Sequence, residues 1–154
     1  YGQAFTDGVS GDWGGKPYED LMKGLDYVEK TYQFIDKNRE AALGASYGGY
    51  MMNWFLSHTD RFKCIVSHDG VFNTESAYGT TEELWFNEWE FKGPPWKNRE
   101  LYRKFSPHLF AVKFKTQSLV VHGQLDFRLD VFHSSDLFTP CNLLLFPPKS
   151  PSFT

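Results

Sequence analysis

The stretch Arg39-Glu-Ala-Ala-Leu-Gly-Ala-Ser-Tyr-Gly-Gly-Tyr-Met-Met-Asn-Trp54 constrains this chain more than any other. Ala41-Ala42-Leu43 is a short apolar run, long enough to end a buried strand. Gly44-x-Ser46-x-Gly48-Gly49 follows, and Tyr50-Met-Met-Asn-Trp-Phe-Leu56 can extend as a helix. Strand, tight turn and helix are the context in which Gly-x-Ser-x-Gly forms a nucleophile elbow. The serine then sits at a sharp, strained bend, and Gly44, Gly48 and Gly49 keep the neighbouring backbone from clashing. The helix points its first amides at any anion that forms on a substrate. Ser46 is therefore the candidate nucleophile, and the bland alternative is a Gly/Ser loop that only caps a helix.

The rest of the chain fits a parallel α/β plan. Tyr1 to Pro17 is rich in Gly, Asp and Ser and reads as irregular loop. Pro17 opens a helix, with Glu19 and Asp20 suited to its positive end. Leu21, Leu25, Val28 and Tyr32 recur at helical spacing, so one face is expected to be buried. Phe62 to Ser67 is the next strand, closed by His68-Asp-Gly70. A strand, helix and strand with this spacing form a parallel unit. Periodicity is lost from Asn73 to Arg99, where Trp85, Phe86, Trp89, Phe91 and Trp96 are set among acids. This insertion either walls a pocket or is a loop pinned by its own aromatics. A short helix over 99–105 precedes Ser118-Leu-Val-Val-His122, an apolar run typical of a buried parallel strand. Asp126 then stands just past the strand's carboxyl end, where open α/β sheets place functional groups.

Composition excludes several alternatives. The chain has 154 residues, enough for one domain with a core, and a formal charge of -3 offers no basic field for nucleic acid. No run approaches the ~18 apolar residues that a membrane-spanning helix needs. Cys64 and Cys141 lack metal-type spacing, and no motif asks for a metal or cofactor. The aromatic share of 18% suits a large apolar pocket or a broad partner surface.

Five spans occur in one order: Tyr1-Gly-Gln-Ala-Phe5, Trp13-Gly-Gly-Lys-Pro-Tyr-Glu-Asp20, Leu43-Gly-Ala-Ser-Tyr-Gly-Gly-Tyr50, His68-Asp-Gly-Val-Phe72 and Val121-His-Gly-Gln-Leu-Asp126. Together, over residues 1–129, they resemble the catalytic domain of the prolyl oligopeptidase family of serine peptidases. The resemblance implies an α/β-hydrolase fold, a mostly parallel sheet flanked by helices and incomplete at both ends. It implies acyl transfer on peptide substrates, and its dipeptidyl members release N-terminal dipeptides. Ser46 matches the nucleophile, Asp126 the acid that orients the catalytic histidine, and the backbone amide of Tyr47 one oxyanion donor. The order Ser, acid, His also agrees. Likeness to secreted fungal dipeptidyl members implies secretion, although the chain opens at Tyr1 with no signal peptide of its own.

Three family features are expected to lie outside the chain: the N-terminal β-propeller, a second oxyanion donor upstream of the glycine-rich loop, and the catalytic histidine. His58 reads as surface polar and His68 as structural. His108 sits in a Ser-Pro linker. His122 precedes Asp126, the wrong order, and His133 follows it too closely. None serves as the base. From Asp130 to Thr154 no helical stripe is evident, and Pro, Ser and Phe crowd together. This tail reads as aberrant, through a shifted frame or a splice variant. Two further readings stand beside the peptidase: an esterase using the same elbow and acid, and a truncated, non-catalytic pseudoenzyme that binds through its aromatic insertion. Without the last helix and strand, an open sheet edge is expected to leave the isolated chain poorly soluble.

Overall fold

The structure is a computed structural model that describes residues 2–145. Three parallel strands, β1 (Ala41–Ala45), β2 (Cys64–His68) and β3 (Gln117–Val121), stand in the order β1-β2-β3. Their register is in step: Ala45 pairs with His68, and His68 with Val121. The three carboxyl ends therefore lie in one row, and Ser46, Asp69 and His122 leave the sheet side by side. Two bonds extend the ladder past the strands: Ser46 N–H donates to His68 O (3.0 Å) and Asp69 N–H to Val121 O (3.0 Å). This is the edge at which open α/β sheets gather their chemistry.

Helix α3 (Tyr47–His58) is the centre of the core. It is apolar all round, as a helix enclosed by other elements must be, and Gly49 through Ser57 are all buried. It packs on β1, β2 and the 3-10 segment Pro107–Lys113. Ala42, Ile65 and Ser67 face it from the sheet. The other sheet face is bare among the described residues, with Leu43 77%, Leu119 60% and Val121 41% exposed. The expectation that β3 is buried on both sides thus holds for one side only.

Helix α2 (Lys16–Thr31) begins one residue before Pro17, which stands in its first turn, yet none of its residues is fully buried. Met22 and Leu25 lean on the core while Leu21 and Tyr32 stay exposed. The stripe is real, but only its middle finds a partner. The N-terminal segment holds a short helix, α1 (Gln3–Asp7), where loop was expected. Trp13 anchors that segment, with its ring 4.9 Å from Tyr50 and 4.8 Å from Phe91 between centroids. Its indole N–H donates to Glu90 (2.8 Å).

The aperiodic insertion resolves into helices α4 (Thr74–Thr80) and α5 (Leu84–Glu90), followed by α6 (Pro95–Lys104). Asn73 caps α4 by accepting from the amides of Glu75 and Ser76 (3.1 and 3.2 Å). Helices α4 and α5 have seven residues each, about two turns, too few for a stripe to repeat. Trp85, Trp89 and Trp96 are mostly exposed, so the insertion is not held by all its aromatics; Phe91 alone is fully buried among the five.

The largest difference from the sequence reading lies after Asp130. Residues Phe132–Leu145 form helix α7, which packs on β3 and the 3-10 segment. Its buried positions are His133, Leu137 and Cys141, one every four residues. The stripe escapes a reading by hydropathy because a histidine and a cysteine fill two of its three positions, and Pro140 interrupts it. The part of the predicted aberrant tail from 146 to 154 lies outside the described residues.

Candidate active site

Ser46 sits between the last residue of β1 and the first of α3, at φ 58° and ψ -121°. Few non-glycine residues adopt positive φ, and here it turns the side chain out at the head of the helix. The bend depends on close backbone approach. A Cβ on Gly44 would lie 2.5 Å from Gly48 O, and one on Gly49 would run into His68 O and lie 2.8 Å from Gly70 Cα. Gly48 differs from the expectation: a Cβ there meets nothing within 4 Å. The close approach of 44 and 48 therefore requires glycine at 44 and not at 48. The first bond within α3 runs from Tyr50 N–H to Ser46 O (2.9 Å), which leaves the Tyr47 amide unspent at the positive end of the helix. The Tyr47 hydroxyl donates to Trp13 O (2.7 Å), and burial, with Glu90 and Asp12 nearby, raises its pKa further above the ordinary phenol value.

Asp126 hangs in the loop after β3. Its Oδ1 accepts from the amides of Arg128 (2.9 Å) and Leu129 (3.0 Å), and its own amide donates to Gly123 O (3.2 Å). The carboxylate is thus oriented by its own loop. Two further ties hold that loop: His122 Nε2 to Leu129 O (2.6 Å) and the Gly123 amide to Asp69 Oδ1 (2.9 Å). Ser46 and Asp126 line one open cavity of about 420 Å³, together with Asp69, Phe127, Arg128 and Leu129.

A second, more enclosed cavity of about 210 Å³ opens beside Ser46. Trp13, Val71, Ala77, Phe86 and Leu129 give it an apolar wall. Two of these residues come from the aromatic insertion, which therefore lines a pocket. Arg128 and Glu83 close its rim as an ion pair (3.0 Å), and Glu82 N–H donates to Phe127 O (3.2 Å), joining insertion to acid loop. These wall residues carried no signal in the sequence beyond their place in the insertion. Asp69 was visible only as part of the His68-Asp-Gly70 turn.

None of the five histidines is hydrogen-bonded to Ser46 among the described residues. His58 is half-buried, not surface polar as expected: it stacks on Trp54 at 3.8 Å, and burial lowers its pKa. His68 Nε2 lies 2.9 Å from Asp69 Oδ2. His108 Nδ1 meets Ser106 Oγ (2.8 Å). His122 is committed to Leu129 O and to Ser134 Oγ (2.7 Å). His133 is enclosed on the inner face of α7, where Nδ1 accepts from the Phe72 amide (3.5 Å) and burial pushes its pKa down to about 4.

Asp69, His122 and Asp126 bring potential metal-ligand atoms within 4.8 Å of one another. Asp69 Oδ1, His122 Nε2 and Asp126 Oδ1 are already engaged with backbone groups. The cluster reads as a hydrogen-bond network that shapes the acid loop.

A parallel sheet, a strained serine between strand and helix, and an acid after a later strand define the α/β-hydrolase fold. Acylaminoacyl peptidase of Pyrococcus horikoshii superposes with a TM-score of 0.88 at 29% identity, covering 94% of this chain and 24% of that one. A puromycin hydrolase shares the fold, with a TM-score of 0.82 at 23% identity over 92% of this chain and 22% of its own. Residues 1–143 match the prolyl oligopeptidase family, and the chain belongs to that family. Dipeptidyl-peptidase 5 of Schizosaccharomyces pombe is 46% identical over 131 residues, 84% of this chain and 19% of that protein. Dipeptidyl-peptidase 5 of Aspergillus oryzae is 43% identical over 162 residues, 97% of this chain and 22% of that protein. The chain thus spans about a fifth of the length of these two relatives.

Proposed function

We propose that the chain carries the nucleophile and the acid of a serine peptidase that releases N-terminal dipeptides. The observation that carries this reading is the placement of Ser46: strained outward at φ 58°, and opening on a cavity that Asp126 shares. In the proposed reaction Ser46 Oγ attacks the scissile carbonyl carbon while an imidazole takes the hydroxyl proton. The carbonyl oxygen becomes an oxyanion, stabilised by the Tyr47 amide at the head of α3. The same imidazole returns the proton to the leaving amine, and water then releases the dipeptide from the acyl-enzyme by the reverse route. Asp126 holds the imidazole in the needed tautomer through the carboxylate oxygen that its own loop does not use. Because all five histidines of the chain are otherwise engaged, we assign the imidazole to a part of the protein beyond these 154 residues. The cavity beside Ser46 receives the side chain next to the cleaved bond, the P1 residue.

The names of the relatives support dipeptide release, and the name of the Pyrococcus enzyme raises the neighbouring possibility of N-acylated substrates. The full-length protein is therefore to be assayed on a dipeptidyl p-nitroanilide, its N-acetylated form and a simple p-nitrophenyl ester. Turnover of the free dipeptidyl amide, lost in Ser46→Ala, is expected. Turnover of the ester alone makes the protein an esterase, and amide turnover that survives Ser46→Ala removes the proposed nucleophile.

A further inference from the structure

The apolar cavity beside Ser46 contains one feature that apolar selectivity does not explain. Asn87, on the inner side of α5, lines it and is only 6% exposed. Its backbone carbonyl is used by the Phe91 amide (2.8 Å). Its side-chain amide has no hydrogen-bond partner among the described residues. Several buried polar side chains of the core reach backbone: Asn53 Nδ2 donates to Val71 O (3.0 Å), Ser67 to Gly49 O (3.2 Å) and Thr74 to Tyr102 O (2.7 Å). The Asn87 amide instead faces the cavity, where a ligand group can reach it.

Apart from the Ser46 hydroxyl, the remaining polar side chains of the cavity are engaged. Glu83 and Arg128 face each other as an ion pair, and Thr81 Oγ1 accepts from the Glu83 amide (3.1 Å). The cavity of about 210 Å³ exceeds the roughly 150 Å³ of an apolar cavity known to hold benzene. Trp13, Phe86 and Leu129 supply the apolar wall that a ring needs.

We propose that Asn87 is a specificity-determining residue, and that the cavity takes a P1 side chain with an aromatic body and a hydroxyl tip, tyrosine before phenylalanine. A phenol suits an amide in either sense, donating to Oδ1 or accepting from Nδ2. A site built to bond a substrate hydroxyl rejects the analogue that lacks it, because the protein group is then left unpaired. Lysine and acidic P1 side chains are disfavoured, since the charged residues of the described lining, Glu83 and Arg128, already neutralise each other. The inference rests on the peptidase reading for its substrate and on the cavity alone for its chemistry.

The test has two arms, both on the full-length protein. In the first, kcat/KM is measured for Ala-Tyr and Ala-Phe amides that differ only in the P1 hydroxyl. Wild type is expected to favour tyrosine about tenfold, and Asn87→Leu to abolish that preference, turning over phenylalanine at least as well as wild type does. In the second, binding of p-cresol and toluene is compared by ligand-observed NMR, which needs no turnover. The cresol is expected to bind about tenfold tighter in wild type, with the difference gone in Asn87→Leu. If no dipeptidyl amide is cleaved but cresol still discriminates, the peptidase reading fails and Asn87 stands. If wild type treats tyrosine and phenylalanine, or cresol and toluene, within twofold of one another, the inference is overturned whether or not the variant folds.

Discussion

Acid sensitivity centred on His133 can be worked out from the structure. The imidazole is 2% exposed on the inner face of α7; Nδ1 accepts from the Phe72 amide, and Nε2 is buried with no partner among the described residues. Burial pushes its pKa from 6.5 down to about 4, with Asp136 opposing and His122 assisting the fall. In the unfolded chain the ring takes up a proton near pH 6.5, whereas the folded protein resists until pH 4. Stability from this group is therefore full above 6.5 and drains as pH falls towards 4. The difference corresponds to roughly 3 kcal/mol at pH 4, of which about 2 is lost by pH 5. His133→Leu removes the titration and the orphaned nitrogen together while keeping an apolar side chain of similar bulk. Urea unfolding of both proteins at pH 7.5, 5 and 4 isolates the effect, because His58 and His108, also lowered by burial, are common to both. The variant should gain on wild type by about 3 kcal/mol between pH 7.5 and 4. A gap between the two proteins that does not change with pH would refute the argument.

Two further outcomes follow from the geometry. Gly49→Ala forces a methyl against His68 O and Gly70 Cα and is expected to destabilise by about 2 kcal/mol or more, read by thermal or urea unfolding. Gly48→Ala, with open space at its Cβ, should instead stabilise by about 0.5–1 kcal/mol through helix propensity. On the bare sheet face, replacing Leu43, Leu119 and Val121 by threonine is expected to reduce aggregation of the isolated chain, measured by light scattering, with little change in melting temperature.

The elements with strong local signals are legible in the sequence. Gly44 to Leu56 shows a strand, a bend and a helix because each of its parts obeys a separate local rule. Pro17 marks the start of α2 for the same reason. What could not be read depends on contacts between distant residues. The α7 stripe was hidden because burial of His133 and Cys141 is decided by β3 and the 3-10 segment, not by their own hydropathy. The pocket beside Ser46 was equally hidden, since Trp13, Val71, Ala77, Phe86 and Leu129 meet only after the sheet has brought three loops together. The sequence offered pocket wall or pinned loop for the aromatic insertion, and only packing distinguishes them. The candidate nucleophile and acid were found by motif; the loop bonds that orient Asp126 were not, because backbone amides leave no trace in side-chain identity.

The central claim is that Ser46 is an activated nucleophile oriented through Asp126, and covalent labelling addresses it most directly. The full-length protein is treated with a fluorophosphonate probe at neutral pH, and the modified residue is mapped by peptide mass spectrometry. The adduct is expected on Ser46, absent in Ser46→Ala, and formed on the order of 1000-fold more slowly in Asp126→Asn. A folded protein whose Ser46 stays unlabelled, or labels at an undiminished rate without the Asp126 carboxylate, would contradict the claim.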